Sequence, residues 1–135
     1  MLKFSANISL LFTELPLVDR IKAAADHGFE AFELHFPYET PIEDLVKAIE
    51  TSNIKISLFN LPAGDFSEGG PGIASISERE AHFRAAVAEA KVYAEALKPE
   101  AINILAGSPP RHINKNISKN IFAKNIKFSS ERLSD

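Results

Sequence analysis

Two repeats take turns along this chain, one of two residues and one of three to four. The segments Phe4 to Phe12, Glu30 to Phe36, Ile54 to Phe59 and Ala101 to Ala106 read as strands, because polar and apolar side chains alternate along them. Between them lie helical patterns, clearest where Ile42, Leu45, Val46 and Ile49 fall at i, i+3, i+4 and i+7. Pro16 suits the first turn of a helix that carries Leu17, Ile21, Ala24 and Ala25 on one side. Gly28 is the expected left-handed stop for that helix. Thr40-Pro41-Ile42-Glu43 and Ser77-Glu78-Arg79-Glu80 read as capping boxes for the second and third helices. The third presents Phe83, Val87, Ala90, Ala94 and Leu97 before Pro99. A last helix over Asn114 to Leu133 places Ile117, Ile121, Phe128 and Leu133 at loosely helical spacing.

Alternating strands and helices of this length require parallel strands joined by right-handed crossovers. The strand faces then choose between an open doubly wound sheet and a barrel. Phe32, Leu34 and Phe36 oppose Glu33 and His35, and Ile54, Ile56 and Leu58 oppose Lys55 and Ser57. Ala6, Ile8 and Leu10 oppose Ser5, Asn7 and Ser9, and Ile102 and Ile104 oppose Asn103. A sheet with helices on both sides would read as nearly continuous apolar runs. One polar and one apolar face per strand implies helices on one side only, so that the polar faces converge inside a barrel. The expected class is α/β, built of parallel (β/α) units of a TIM barrel. A closed barrel of eight units takes about 250 residues, so these 135 residues hold four of eight and are expected to form an N-terminal half.

In such a barrel the site lies at the C-terminal ends of the strands and in the loops that follow. That rule, with the polar faces, selects Asn7, Glu33, His35, Asn60, Asp65 and Arg79 as candidate substrate-binding residues. A carboxylate inside a barrel needs a partner; for Glu33 this is Lys55 or His35, and a structural ion pair and a substrate contact both stay open. Arg79 either reaches an anionic ligand or pairs with Glu78 or Glu80. Thr13 and Glu14 either line the site or serve the first helix. The long connection Asn60 to Ser75, with glycines at 64, 69, 70 and 72, has the length and composition of a mobile lid.

Composition narrows the classes. At 45% hydrophobic and 24% charged the chain is globular, and a net charge of −3 gives nucleic acid no basic footprint. Its apolar runs are far too short to span a bilayer. The opening Met1-Leu2-Lys3-Phe4-Ser5-Ala6-Asn7 has no apolar signal region. With no cysteine there is neither a thiolate nucleophile nor a disulfide framework, and the expected location is the cytoplasm. No phosphate-binding loop, dinucleotide fingerprint or serine-nucleophile motif occurs.

At the residues already singled out the chain resembles the hydroxypyruvate isomerase family of xylose isomerase-like TIM barrels. The resemblance runs through Ala6-Asn7-Ile8-Ser9, Phe12-Thr13-Glu14, Gly28-Phe29, Glu33 and Pro37-Tyr38. It continues through Phe59-Asn60, Pro62-Ala63-Gly64-Asp65, Gly72, Arg79 and Leu105-Ala106-Gly107. It implies interconversion of hydroxypyruvate and 2-hydroxy-3-oxopropanoate through an enediolate, with a glutamate pair moving the proton and Mg²⁺ or Mn²⁺ holding the oxygens. In such relatives the glutamates and metal ligands stand on later strands, so the resemblance assigns no catalytic or metal-binding residue here. The chain alone is expected to bind no metal and to be inactive. A 2-oxo-tetronate or other small keto-sugar isomerase and a non-catalytic half-barrel module are the alternatives. The expected partners are a small hydroxy-keto acid and either a second copy or a missing C-terminal half, since a half-barrel leaves two strand edges open.

Overall fold

The computed structural model describes residues 2–64 and 72–134. The strand and helix repeats become β1 (Ser5–Asn7), α1 (Leu17–Asp26), β2 (Ala31–Leu34), α2 (Ile42–Ser52), β3 (Lys55–Asn60), α3 (Glu80–Leu97), β4 (Ala101–Asn103) and α4 (Lys115–Leu133). The strands form one sheet in the order β1-β2-β3-β4, and β2 runs parallel to both its neighbours. The chain divides into two compact units. One comprises the residues up to Phe59 together with Tyr93–Asn103; the other comprises Asn60–Val92 and the residues from Ile104 on.

In the first unit α1 ends as its glycine predicts. Gly28 has φ of +85°, its N–H donates to Ala25 O at 2.9 Å, and Phe29 N–H donates to Ala24 O at 3.1 Å. These two bonds satisfy carbonyls left over at the helix end. The predicted capping boxes do not form. Pro41 occupies the N-cap of α2 with no side-chain bond, so Thr40 lies one residue too early to accept from the first turn. Ser77 begins a short 3-10 turn, Ser77–Arg79, capped by Ile76 without a side-chain bond, and α3 starts only at Glu80. Arg79 therefore precedes the helix instead of lying in its first turn.

Strand one is much shorter than its alternation suggests. The Asn7 side chain accepts a hydrogen bond from Ser9 N–H at 3.0 Å, and Leu10 and Leu11 N–H both donate to Asn7 O. Asparagine bonding the backbone two residues on is a turn former, and it stops the strand at once. Leu10 and Leu11 are left exposed beyond the turn.

A second departure reorders the faces of β3. Phe32 lies opposite Ile56, but Glu33 lies opposite Leu58 and Leu34 opposite Phe59, with the irregularity between Phe32 and Glu33. Ser57 is the extra residue of this bulge. Its hydroxyl donates to Phe32 O at 3.0 Å and shares a 2.7 Å bond with the Ser5 hydroxyl. The inserted residue shifts the period-two pattern. Leu58, read from sequence as an apolar-face residue, joins Glu33, while Phe59, which strict alternation would put on the side of Lys55 and Ser57, joins Leu34 and is fully buried. Phe59 then packs edge-on to Tyr38 at 6.1 Å, and Tyr38 to Tyr93 at 5.0 Å.

In the second unit the core gathers Leu61, Ile73, Ala74, Phe83, Val87 and Ala90. The end of the long connection lies in it. Gly72 pairs with Ala106, Ser75 N–H donates to Ala106 O at 2.8 Å, and residues 72–75 are all buried. The expected lid therefore does not extend through Ser75, and the Gly69-Gly70 part of it lies outside the described residues. Helix α4 buries Ser118, Asn125 and Ser129, while Ile117 and Ile126 stand exposed. Of the buried three, Asn125 Nδ2 donates to Ala74 O at 2.9 Å and Ser129 Oγ bonds within the helix to Asn125 O at 2.9 Å, while Ser118 Oγ has no hydrogen-bond partner among the described residues. Of the predicted apolar set, Phe128 is instead covered from outside by the guanidiniums of Arg84 and Arg132, at 4.5 and 5.5 Å from its ring centre. The Glu80 carboxylate meets Arg84 at 2.9 Å and Lys124 at 3.3 Å. Its hydrogen bond from Arg84, reinforced by that from Lys124, lowers its pKa from the ordinary value.

Three substitutions test this packing by chemical denaturation. Phe59→Ala is expected to cost about 3–5 kcal/mol, as large-to-small changes at fully buried aromatics do, and Leu58→Ala less than half of that; the reverse order would remove the bulge. Asn125→Leu is expected to destabilise by about 1–3 kcal/mol despite the added apolar volume, because it strands the Ala74 carbonyl. A neutral or stabilising outcome would show that the carbonyl finds another partner.

Candidate functional site

The polar side of the first unit converges on one amide. Asn7 lies directly opposite Glu33 in the parallel register, and side chains opposite each other share a face. Asn7 Nδ2 lies 2.9 Å from Glu33 Oε1 and 3.3 Å from His35 Nε2. Glu33 and His35 are two apart, hence on one side of the strand, and both are half-buried. The remaining groups are bound from below. Asn7 Oδ1 accepts from Ser9 N–H, and Ser9 Oγ accepts from His35 N–H at 2.8 Å. Ser9 thus ties the turn after β1 to the end of β2. Asn7, which is itself half-buried, has both amide N–H groups and its carbonyl oxygen engaged.

The partner of Glu33 is therefore the Asn7 amide. Lys55 lies opposite Ala31, two positions before Glu33, and is exposed; across from Glu33 stands Leu58. Among the described residues Glu33 forms no salt bridge.

Two supports were not visible as site residues in the sequence. Arg20 on α1 spreads its guanidinium over three carbonyls, Nε to Leu15 at 2.8 Å, Nη1 to Ile8 at 3.1 Å and Nη2 to Thr13 at 3.2 Å. It holds the turn that carries Ser9, and a planar fork of donors is what such a task needs. Nothing in local spacing marks Arg20, since its partners are backbone atoms of a loop. Tyr93 holds the loop after β2: its hydroxyl proton is shared between Tyr38 O at 3.1 Å and Thr40 O at 3.2 Å. Ser9 did carry a signal, the Asn-x-Ser spacing at Asn7, which is also an Asx-turn spacing.

The other predicted residues fall elsewhere. Asn60 ends β3 and is buried, in the second unit; Arg79 is half-buried at the end of the 3-10 turn, also in the second unit. Asp65 lies outside the described residues. Glu14 is exposed and Thr13 offers Arg20 only its carbonyl; α1 is capped by Pro16 without a side-chain bond.

The trio does not fit a divalent metal. It offers two ligating side chains, Glu33 and His35, and the Asn7 Nδ2 group directs N–H at both, where a cation would need lone pairs. Among the described residues no group of three or more His, Cys, Asp or Glu is placed to hold a metal ion. What the trio can do is present fixed donors and acceptors to a small polar ligand.

Known proteins of this architecture agree with the fold. The family described as Xylose isomerase-like TIM barrel matches residues 21–134. Hydroxypyruvate isomerase of Escherichia coli is 39% identical over 133 residues, which are 98% of this chain and 52% of that protein. The 2-oxo-tetronate isomerase of Haemophilus influenzae is 35% identical over 130 residues, 96% of this chain and 50% of that one. The crystal structure of an AP endonuclease, family 2, from Brucella melitensis superposes with a TM-score of 0.93 at 32% identity, covering 99% of this chain and 52% of that one. The chain spans about half the length of the curated relatives it matches. Four parallel (β/α) units in sequence order, matched along nearly their whole length, place the chain in the xylose isomerase-like TIM barrel family.

Proposed function

We propose that this chain contributes the first four (β/α) units of an isomerase for a small hydroxy-oxo acid, and that hydroxypyruvate is the acid. The observation that carries this reading is the Asn7–Glu33–His35 constellation, a rigid polar face on a strand pair of a chain whose relatives include isomerases of such acids. The reaction moves one proton from C3 of hydroxypyruvate to C2 while the hydroxyl proton passes between the two oxygens, giving 2-hydroxy-3-oxopropanoate. The enediolate in between has two adjacent oxygens that need hydrogen-bond partners, and groups preorganised for developing charge are the strongest lever on such a step.

In this reading Glu33 binds and does not abstract. Its Oε1 is engaged by Asn7, and Oε2 is left to accept a hydrogen bond from the substrate hydroxyl. This reading assigns the base pair and the divalent metal to the later (β/α) units of such a barrel. A 2-oxo-tetronate, one carbon longer, is the second substrate reading, favoured by the relatives that carry that name. A cytoplasmic location accompanies both; among the described residues no helix is long and apolar enough to cross a membrane. The sheet edges at β1 and β4 are, on this proposal, covered by a second copy or by further (β/α) units. Leu2 and Phe4, 82% and 70% exposed just before β1, flank one such edge.

Calorimetry with hydroxypyruvate is the direct test. The 135-residue chain is expected to bind it without turnover, with or without Mg²⁺ or Mn²⁺. Glu33→Gln should weaken binding about ten-fold or more, as loss of a charged hydrogen bond does. Metal-dependent turnover that Glu33→Gln abolishes would overturn the division of labour, and binding of a 2-oxo-tetronate alone would move the substrate to the second reading. For the edges, light scattering at high concentration should show dimers or larger species; a monodisperse species of 14.8 kDa would refute edge association.

A further inference from the structure

The orientation of one amide determines the chemistry of the ring beside it. Asn7 has one workable orientation. Turned over, its Nδ2 would face the Ser9 N–H, donor against donor, and its Oδ1 would face the Glu33 carboxylate, acceptor against acceptor. The observed arrangement gives Oδ1 the backbone N–H and leaves the two amide protons for Glu33 Oε1 and His35 Nε2. An amide nitrogen only donates. His35 Nε2 must therefore accept, and a neutral imidazole that accepts at one nitrogen carries its proton on the other.

We propose that Asn7 holds His35 in the Nδ1–H tautomer, so that His35 Nδ1–H and Glu33 Oε2 are left as a donor and an acceptor for a ligand bearing a carbonyl next to a hydroxyl. Among the described residues neither Nδ1 nor Oε2 has a hydrogen-bond partner, while Oε1 and Nε2 are both taken by Asn7. A carbonyl or enediolate oxygen needs the donor, and an adjacent hydroxyl needs the acceptor. The opposite tautomer would put a lone pair at Nδ1 and turn the pair into two acceptors, which no carbonyl oxygen could join. Asn7 and Ser9 are positioning residues in this scheme: Ser9 N–H orients the amide, and Ser9 Oγ holds the His35 backbone by its N–H. The scheme rests on the reading of this face as a hydroxy-oxo-acid site, but the tautomer itself can be observed with no ligand present.

The experiment is long-range ¹⁵N–¹H NMR of the His35 ring in the 135-residue chain, without ligand and then with hydroxypyruvate. The ligand-free ring is expected to show a protonated Nδ1 and an unprotonated Nε2. Asn7→Asp replaces the donor by an acceptor and should invert the pattern. Asn7→Ala, which adds no charge beside Glu33, should let the two nitrogens average. A wild-type ring protonated at Nε2, or a pattern that neither variant alters, overturns the proposal. For the ligand, His35→Asn keeps an N–H close to the Nδ1 position and should hold hydroxypyruvate affinity within about three-fold. His35→Phe lacks any donor and should lose about ten-fold. Equal loss in both variants would overturn the donor role. An Nδ1–H ring that hydroxypyruvate leaves unperturbed would instead confirm the tautomer and overturn the substrate assignment.

Discussion

One inserted residue governs where the side chains of this sheet point. In a parallel sheet the faces are kept distinct only while neighbouring strands stay in register, since a slip of one residue exchanges them. Ser57 makes such a slip and also repairs it, because its hydroxyl satisfies the Phe32 carbonyl beside the interruption. Beyond it Phe59 is sealed into the core behind Leu34 and Tyr38, and Leu58 is left beside Glu33. A large aromatic at the end of a strand whose polar face must stay polar could not be accommodated by strict alternation.

The Asn7 constellation depends on a different economy, in which backbone groups do the holding. Ser9 N–H orients the amide, His35 N–H meets the Ser9 hydroxyl, and Arg20 gathers three carbonyls from the intervening loop. Each bond joins a side chain to main chain, so the geometry is set by the path of the loop more than by the site residues themselves. A site on a short strand can in this way be as rigid as one in the middle of a sheet.

The architecture was legible in the sequence, because the order of strands and helices depends on hydrophobic repeats that each segment carries by itself. Asn7, Glu33 and His35 were legible for the same reason: alternation alone put them on one polar face. What could not be read were the features that depend on a distant partner. Ser57 looks like an ordinary polar-face residue until β2 is laid beside it, and Arg20 like a surface arginine until the loop folds back. The capping box at Thr40 failed by one residue, because Pro41 took the cap of α2, and that at Ser77 failed because a 3-10 turn preceded α3. Asn7-Ile8-Ser9 carried a turn signal that is weaker in the sequence than the strand pattern it interrupts.

Helix α4 carries a consequence for the order of folding. Early collapse is driven by apolar area, and a helix that turns Ser118, Asn125 and Ser129 inward while leaving Ile117 and Ile126 exposed has little of it to offer. Its attachment is a set of directed bonds, and the chief one needs the Ala74 carbonyl already in position. Such a helix is expected to join after its platform exists, with low φ-values for substitutions along it, because its place is defined by geometry that the rest of its compact unit supplies.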